Sequence, residues 1–180
     1  MRIGNKEFKL GERTYIMGIL NVTPDSFSDG GKFNEIEAAV AQAKKLVEDG
    51  ADIIDIGGES TRPGADFVSE NEEIRRVVPI IKARKKEMDI TISIDTYKSK
   101  TAEAAIKAGA DIINDIWGAK YDKNIASIAA KYDTPIILMH NRENKPYENL
   151  MEDVKKDLQE SIDIALNAGV KKENIILDPG

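Results

Sequence analysis

The sequence predicts an α/β fold in which a parallel sheet is covered by helices. Two observations carry this prediction. Short apolar segments that end in polar residues alternate along the chain with segments whose apolar residues recur at helical spacing, the pattern of repeated β–α units. Most apolar segments are continuous runs, such as Ile136–Met139, rather than alternating ones. Continuous runs are typical of parallel strands that are buried on both faces.

The elements follow in order from the N-terminus. A small β-hairpin is predicted from Arg2–Ile3, a turn at Gly4-Asn5 and a second strand at Glu7–Leu10, because glycine next to asparagine is a strong turn signal. Six strands of the main sheet are predicted at Tyr15–Leu20, Ala51–Ile56, Thr91–Ile94, Asp111–Asn114, Pro135–Met139 and Asn174–Leu177. The helices between them are predicted near Ile36–Asp49, Glu70–Glu87, Ser99–Ala108, Lys123–Tyr132 and Tyr147–Ala168.

Local signals mark the helix ends. Asn34 is expected to cap the first helix, with Glu37 in its first turn, and Gly50 suits the position just past its end. Ser69 and Glu72 form a second capping-box pattern before the next helix. That helix contains a proline, which is expected to kink it or to shift its start.

Polar residues at all six strand ends favour a TIM (β/α)₈ barrel over an open doubly wound sheet, in which functional residues gather at one switch point. The glycine fingerprint G-x-G-x-x-G is absent after the first strand, and no Walker A sequence occurs. A complete barrel takes about 250 residues. The 180 residues present are therefore expected to form a single domain, 1–180, that lacks the last quarter of a barrel.

Composition narrows the function. Hydrophobic residues make up 41% and charged residues 32% of the chain, and the net charge is −6, which argues against a nucleic-acid binder because such proteins need a basic face. The absence of cysteine excludes disulfides, thiolate nucleophiles and cysteine metal sites. The sequence contains no apolar signal segment and no run of the ~20 residues that a membrane span needs. A cytoplasmic location is expected.

The strand ends carry the candidate chemistry, and most of their side chains are carboxylates and carboxamides. They are Asn21, Asp55, Glu59–Arg62, Asp95, Asn114, Asp115, His140 and Asp178. Such a set suits a ligand rich in N–H donors, for instance a fused aminopyrimidinone ring, or a hard divalent cation that also binds substrate phosphates. Any one of these aspartates or asparagines is alternatively a helix cap, and His140 is either a packing residue or a ligand contact. Asp52 and Asp111 precede their strands and are expected at the opposite end of the sheet.

Two long segments carry a family resemblance. Gly18–Gly31 and Asp52–Ala65 resemble the two signature segments of dihydropteroate synthase. Its further strand ends are matched, in order, by Ser93–Thr96, Asp111–Asp115, Leu138–His140 and Leu177–Gly180. The resemblance implies a TIM barrel that joins p-aminobenzoate to 6-hydroxymethyl-7,8-dihydropterin pyrophosphate, with Mg²⁺ and release of pyrophosphate.

The resemblance also assigns roles to positions of this sequence. Asn21 matches the metal-linked asparagine, and the pterin pocket is matched by Asp95, Asn114 and Asp178. Thr61 and Arg62 match the loop that contacts the pyrophosphate. The first loop, which helps to close over p-aminobenzoate, is matched by Thr23, Asp25, Phe27 and Ser28. Of these residues, Arg62 and Asp95 are the catalytic candidates, since the cation-like transition state needs positive charge on the leaving group and hydrogen bonds to the ring.

The family's lysine after the seventh strand and its Arg-x-His after the eighth have no counterpart up to Gly180. The helices of the family's homodimer contact are also expected to be absent. This chain alone is therefore expected to have little or no synthase activity and to leave two strand edges open. Two other functions remain open at this point: a non-catalytic pterin-binding fragment, and a related methyltransferase that moves a methyl group from a folate to a corrinoid.

Overall fold

The computed structural model describes residues 1–22, 31–60, 66–87, 89–143 and 146–180. In these ranges a short antiparallel hairpin precedes alternating strands and helices. The strands are β1 (Arg2–Ile3), β2 (Lys6–Glu7), β3 (Met17–Asn21), β4 (Ile53–Gly57), β5 (Thr91–Asp95), β6 (Ile112–Asp115), β7 (Ile136–Met139) and β8 (Ile175–Asp178). The helices are α1 (Gly31–Glu48), α2 (Glu70–Glu87), α3 (Ser99–Ala108), α4 (Asn124–Tyr132) and α5 (Leu150–Asn167).

Within the described residues, β3 to β8 form one parallel sheet whose spatial order equals the order along the chain. This is the strand order of a barrel, and it confirms the α/β prediction of six consecutive strands. β3 and β8 are the two edges of the sheet, so these six strands do not close into a ring. The exposed Ile19 on β3 and Leu177 on β8 lie at these edges.

Alternate residues of each strand face two different cores. Ile54, Ile56 and Ile92 belong to the larger core between the sheet and the helices. Their neighbours on the opposite face, such as Ile53 and Ile112, form a smaller core with residues of the hairpin segment. Burial on both faces explains why the strands are continuous apolar runs in the sequence.

The N-terminal hairpin covers the end of the sheet at which the strands begin. Ile3 and Phe8 are buried against Ile53 and Ile112. The turn residue Gly4 has φ +58°, and a side chain there would lie 2.5 Å from Asp111 Oδ1. Only glycine combines this backbone conformation with so close an approach. The hairpin therefore leaves the opposite end, where the strands finish, for the functional residues.

Asp52 and Asp111 lie at the start of β4 and β6, as the sequence predicts. Asp52 accepts a hydrogen bond from the Ile16 amide at 2.9 Å, and Asp111 accepts one from the Ile92 amide at 3.0 Å. Both carboxylates also pair with a basic side chain, that of Arg13 or Lys85 respectively. They stabilise strand starts and do not belong to the site.

The predicted boundaries of α2 and α3 are confirmed, and those of α4 and of the six strands of the main sheet differ by one or two residues. The starts of α1 and α5 and the second hairpin strand were predicted wrongly. α1 begins at Gly31, so Asn34 lies inside its first turn and is not the predicted cap; glycine and asparagine are poor helix formers and hid the true start. α5 begins only at Leu150, because Asn149 caps it by accepting a hydrogen bond from the Glu152 amide. The second hairpin strand is shorter than predicted. The proline of α2 lies within that helix and does not end it.

Candidate active site

The carboxyl ends of four neighbouring strands bring the central site residues into one row. Asn21 of β3 pairs in register with Gly57 of β4, Gly57 with Asp95 of β5, and Asp95 with Asn114 of β6. Residues that share a register row point to the same face of a sheet. The predicted convergence of these strand-end side chains is thus a consequence of the parallel register.

Gly57 leaves space in the middle of this row. A side chain at this position would lie 3.3 Å from Asp95 Oδ2 and 3.4 Å from Asn21 Oδ1. The glycine therefore lets the carboxylate of Asp95 and the carboxamide of Asn21 approach each other across β4. A shallow floor of backbone flanked by oxygen atoms is suited to a flat ligand with hydrogen-bond donors at its edge.

Asp95 is held as an acid of unusually high pKa. Burial, and after it the nearby carboxylates of Asp55, Glu73 and Asp115, together raise the pKa of its carboxyl group to about 8. No described residue donates a hydrogen bond to Asp95 Oδ1, although this atom is buried. A buried acceptor without a partner is costly in an empty site, and a ligand that donates N–H groups would remove that cost.

Asp55 was one of the strand-end candidates, but the sequence assigned it no role in the site. It lies on β4 two residues before Gly57, is 4% exposed, and accepts a hydrogen bond from Asn114 Nδ2 at 3.0 Å. Burial raises the pKa of its carboxyl group, while the hydrogen bond from Asn114 opposes that rise. Its position at a polar strand end was visible in the sequence. Its contact with Asn114, 59 residues away, had no sequence signal.

Asp178 lies on the same face of the sheet but not in the same row. Asn114 pairs with Ile137 and Ile137 with Ile176, so Asp178 lies two residues further along its strand. Its Oδ1 accepts a hydrogen bond from the Gly180 amide at 2.9 Å. The structure therefore places Asp178 at the same end of the sheet as Asp95 and Asn114, with its carboxylate bonded to nearby backbone.

Two other strand-end residues bond to structural partners. Asp115 accepts hydrogen bonds from the Trp117 and Ala119 amides at 2.8 and 2.7 Å, and burial raises the pKa of its carboxyl group to about 6. His140 is buried, with Nε2 3.2 Å from Asp157 Oδ2 of α5. Asp115 thus stabilises the turn after β6, and His140 ties β7 to α5.

Lys98 forms a buried ion cluster beside the row. Its Nζ contacts Glu59 Oε2 and lies 2.9 Å from Glu73 Oε2 and 2.6 Å from the Val68 carbonyl oxygen. The Lys98 side chain is 5% exposed, and those of Glu59 and Glu73 are 8% and 1% exposed. Because Glu59 also accepts a hydrogen bond from the Val68 amide, this cluster joins β4, α2 and the segment after β5.

The remaining predicted residues lie outside the described residues. They are Thr23, Asp25, Phe27, Ser28, Thr61 and Arg62. Among the described residues, the lysine and arginine side chains at this end of the sheet include Lys98 and Arg142, and both pair with carboxylates. The row itself consists of Asn21, Gly57, Asp95 and Asn114 and contains no lysine or arginine.

The described residues contain no group of three or more histidine, aspartate or glutamate side chains arranged to hold a metal ion. Asn21 is exposed at the end of β3, and its oxygen faces the Asp95 side of the row. A single carboxamide oxygen fits a Mg²⁺ ion that takes most of its ligands from water and substrate phosphates. It does not fit a metal held by protein ligands alone.

Comparison with known proteins shows to which family the chain belongs. The model of a family described as "Pterin binding enzyme" matches residues 17–180. The chain belongs to the pterin-binding enzymes. Within this family the chain is 68% identical over 180 residues to a dihydropteroate synthase from Clostridium beijerinckii. This match covers 100% of the chain and 67% of the relative.

Solved structures of dihydropteroate synthases resemble this chain in both sequence and fold. A dihydropteroate synthase from Clostridium difficile, crystallised in the presence of pteroic acid, is 56% identical with a TM-score of 0.93, and the match covers 97% of this chain and 66% of that one. The enzyme from Xanthomonas albilineans with 4-aminobenzoic acid is 44% identical with a TM-score of 0.87, covering 94% and 62%. This chain thus spans about two thirds of the length of the relatives it matches. In the described part of the chain, no helix combines the length and apolar character needed to cross a bilayer.

Proposed function

We propose that the protein carrying this chain is a dihydropteroate synthase, which joins p-aminobenzoate to 6-hydroxymethyl-7,8-dihydropterin pyrophosphate. The observation that carries the proposal is the row of Asp95 and Asn114 at the strand ends, with an unpartnered buried oxygen on Asp95. The N3–H and 2-amino edge of a pterin supplies the N–H donors that this carboxylate lacks. Pteroic acid and 4-aminobenzoic acid, the compounds present with the two solved relatives, together contain both halves of the expected product.

The proposed reaction substitutes one bond for another at the exocyclic methylene carbon of the pterin. The amine nitrogen of p-aminobenzoate forms the new C–N bond, the C–O bond to pyrophosphate breaks, and the amine loses a proton to solvent. Because the departing pyrophosphate leaves a cation-like ring, an ionised Asp95 in a desolvated site stabilises the transition state. No protein nucleophile is required.

The leaving group needs positive charge, and we assign this task to Arg62 and to Mg²⁺ bound through Asn21. Mg²⁺ neutralises phosphate oxygens and orients the pyrophosphate when it is bound. We assign Thr61 to the same task, and we assign Thr23, Asp25, Phe27 and Ser28 to the binding of p-aminobenzoate. The homodimer of the family and the cytoplasmic location stay predictions.

The corrinoid methyltransferase alternative has no supporting observation, since the most similar relatives described above are dihydropteroate synthases.

The test is pyrophosphate release that depends on both substrates, measured in the whole protein that carries this sequence. Asn114→Ala is expected to raise the KM for the pterin substrate about 10- to 100-fold, the cost of losing one buried hydrogen bond. The exposed carboxamide of Asn167 at the end of α5 provides the control, and Asn167→Ala should leave both constants unchanged. Absence of pyrophosphate release from the unmutated protein with both substrates and Mg²⁺ would refute the proposed function.

A further inference from the structure

Asp55 is buried at a position where an apolar side chain would give the folded protein greater stability. It belongs to the same strand face as Ile53, which lies in the small core beneath the site, and its side chain is 4% exposed. A carboxyl group in such a position opposes folding because it has lost its hydration. Its Oδ1 has no hydrogen-bond partner among the described residues, whereas its Oδ2 bonds to a neighbouring side chain of the site. The role argued for Asp55 acts through that neighbour.

That neighbour is Asn114. A carboxylate oxygen accepts hydrogen bonds, and here Asp55 Oδ2 accepts one from Asn114 Nδ2 at 3.0 Å. This bond fixes which of the two ends of the carboxamide turns inward. The carbonyl oxygen, Asn114 Oδ1, is then directed away from Asp55, and Asn114 itself is partly exposed at the site. The row therefore presents an acceptor at this position, next to the acceptor atoms of Asp95.

We propose that Asp55 is a specificity-determining residue that, by orienting the Asn114 carboxamide, makes the site accept a 2-amino-4-oxo pterin and reject a 2,4-dioxo ring. This inference rests on the proposed function and deepens it. The two ring systems have nearly the same shape and differ where one carries an amino donor and the other a carbonyl acceptor. A fixed acceptor on the protein attracts the first and repels the second. Sites built to bond a polar group reject analogues that lack it far more strongly than apolar pockets reject isosteres.

Asp55 is a positioning residue in this account, so loss of affinity alone does not establish its role. The informative readout is the ratio of two affinities. In Asp55→Asn the side chain at position 55 either donates or accepts, and the Asn114 carboxamide is free to turn over. The site then presents a donor as readily as an acceptor, and discrimination between the two rings collapses while their common contacts remain.

The experiment is calorimetric titration of the whole protein that carries this sequence with 6-hydroxymethylpterin and with 6-hydroxymethyllumazine. The unmutated protein is expected to prefer the pterin by at least about 100-fold, and Asp55→Asn to reduce this preference to less than about tenfold. The matched control is Thr91→Val. Like Asp55, Thr91 is buried, but it lies on β5 at the end of the strand that is far from the site. Its hydroxyl group has no hydrogen-bond partner among the described residues. Thr91→Val should retain the full preference.

An Asp55→Asn protein that loses affinity for both rings equally, with an unchanged ratio, would overturn the inference. If the unmutated whole protein binds neither ring, the proposed function fails instead, and the two failures are thereby distinguished.

A second measurement needs no folded variant at position 55. In the unmutated protein, the side-chain NH₂ signals of Asn114, assigned by their loss in Asn114→Asp, should stay protected from solvent exchange before and after pterin binding. Rapid exchange in either state would contradict the bond to Asp55 on which the inference depends.

Discussion

Replacing Asp95 by asparagine is expected to stabilise the ligand-free protein and to weaken pterin binding at least about 100-fold. The asparagine keeps the shape of the side chain and removes a charge that burial disfavours. The pKa of Asp95 is raised from 3.8 to about 8, so the folded state holds a proton that the unfolded state releases. The stability associated with this group is therefore complete below about pH 4 and is lost as the pH rises towards 8.

The stabilising effect of Asp95→Asn should accordingly grow with pH and be greatest at pH 8 and above, on the order of a few kcal/mol. Thermal unfolding followed across this pH range measures it, with Asp49→Asn, a change at an exposed carboxylate, as the control that should show no such trend. Equal melting temperatures for the unmutated protein and Asp95→Asn at pH 8 would contradict the environment described for this side chain. An Asp95→Asn protein that binds the pterin as tightly as the unmutated protein would contradict the role of Asp95 in pterin binding.

Replacing Lys98 by methionine is expected to destabilise the protein by about 3–5 kcal/mol, the cost of removing one partner from a buried ion cluster. The change leaves Glu59 and Glu73 buried without their cation. Burial already raises the pKa of the Glu73 carboxyl group, and the hydrogen bond and charge of Lys98 oppose that rise. Denaturant unfolding at neutral pH measures the loss.

The control for this prediction is Lys100→Met. Lys100 pairs with Glu70, but its side chain is 75% exposed, so its removal should leave the stability nearly unchanged. A triple variant, Lys98→Met with Glu59→Gln and Glu73→Gln, removes the buried charges together and should recover much of the lost stability. A Lys98→Met protein as stable as the unmutated one would show that the cluster is not buried as the structure describes.

The sequence predicted the parts of the fold and site that depend on local patterns. Continuous apolar runs identified the strands, and polar residues at their ends identified Asn21, Asp95 and Asn114 as neighbours, since parallel strands place their carboxyl ends together. The start of α1 was missed because its first turn contains residues that favour loops.

The interactions that were not predicted join residues far apart in the chain. Lys98 follows β5 and neutralises Glu59 and Glu73, but in the sequence it was one basic residue among 26 lysines and arginines. Asp55 was visible as a strand-end acid, yet only the three-dimensional structure shows that it binds Asn114. Periodicity and motif spacing report local geometry, whereas these contacts depend on how neighbouring strands are staggered in the sheet.

The central claim is that a buried, largely protonated Asp95 becomes the ionised acceptor for the pterin ring. The most direct test is calorimetric titration of the unmutated whole protein that carries this sequence with 6-hydroxymethylpterin at pH 6 to 7.5, in buffers of different protonation enthalpy. Binding should release about one proton, because the pKa of Asp95 in the ligand-free protein is about 8. For the same reason the affinity for the pterin should rise about tenfold per pH unit in this range. Binding without proton release, or affinity that increases as the pH falls, would contradict the claim.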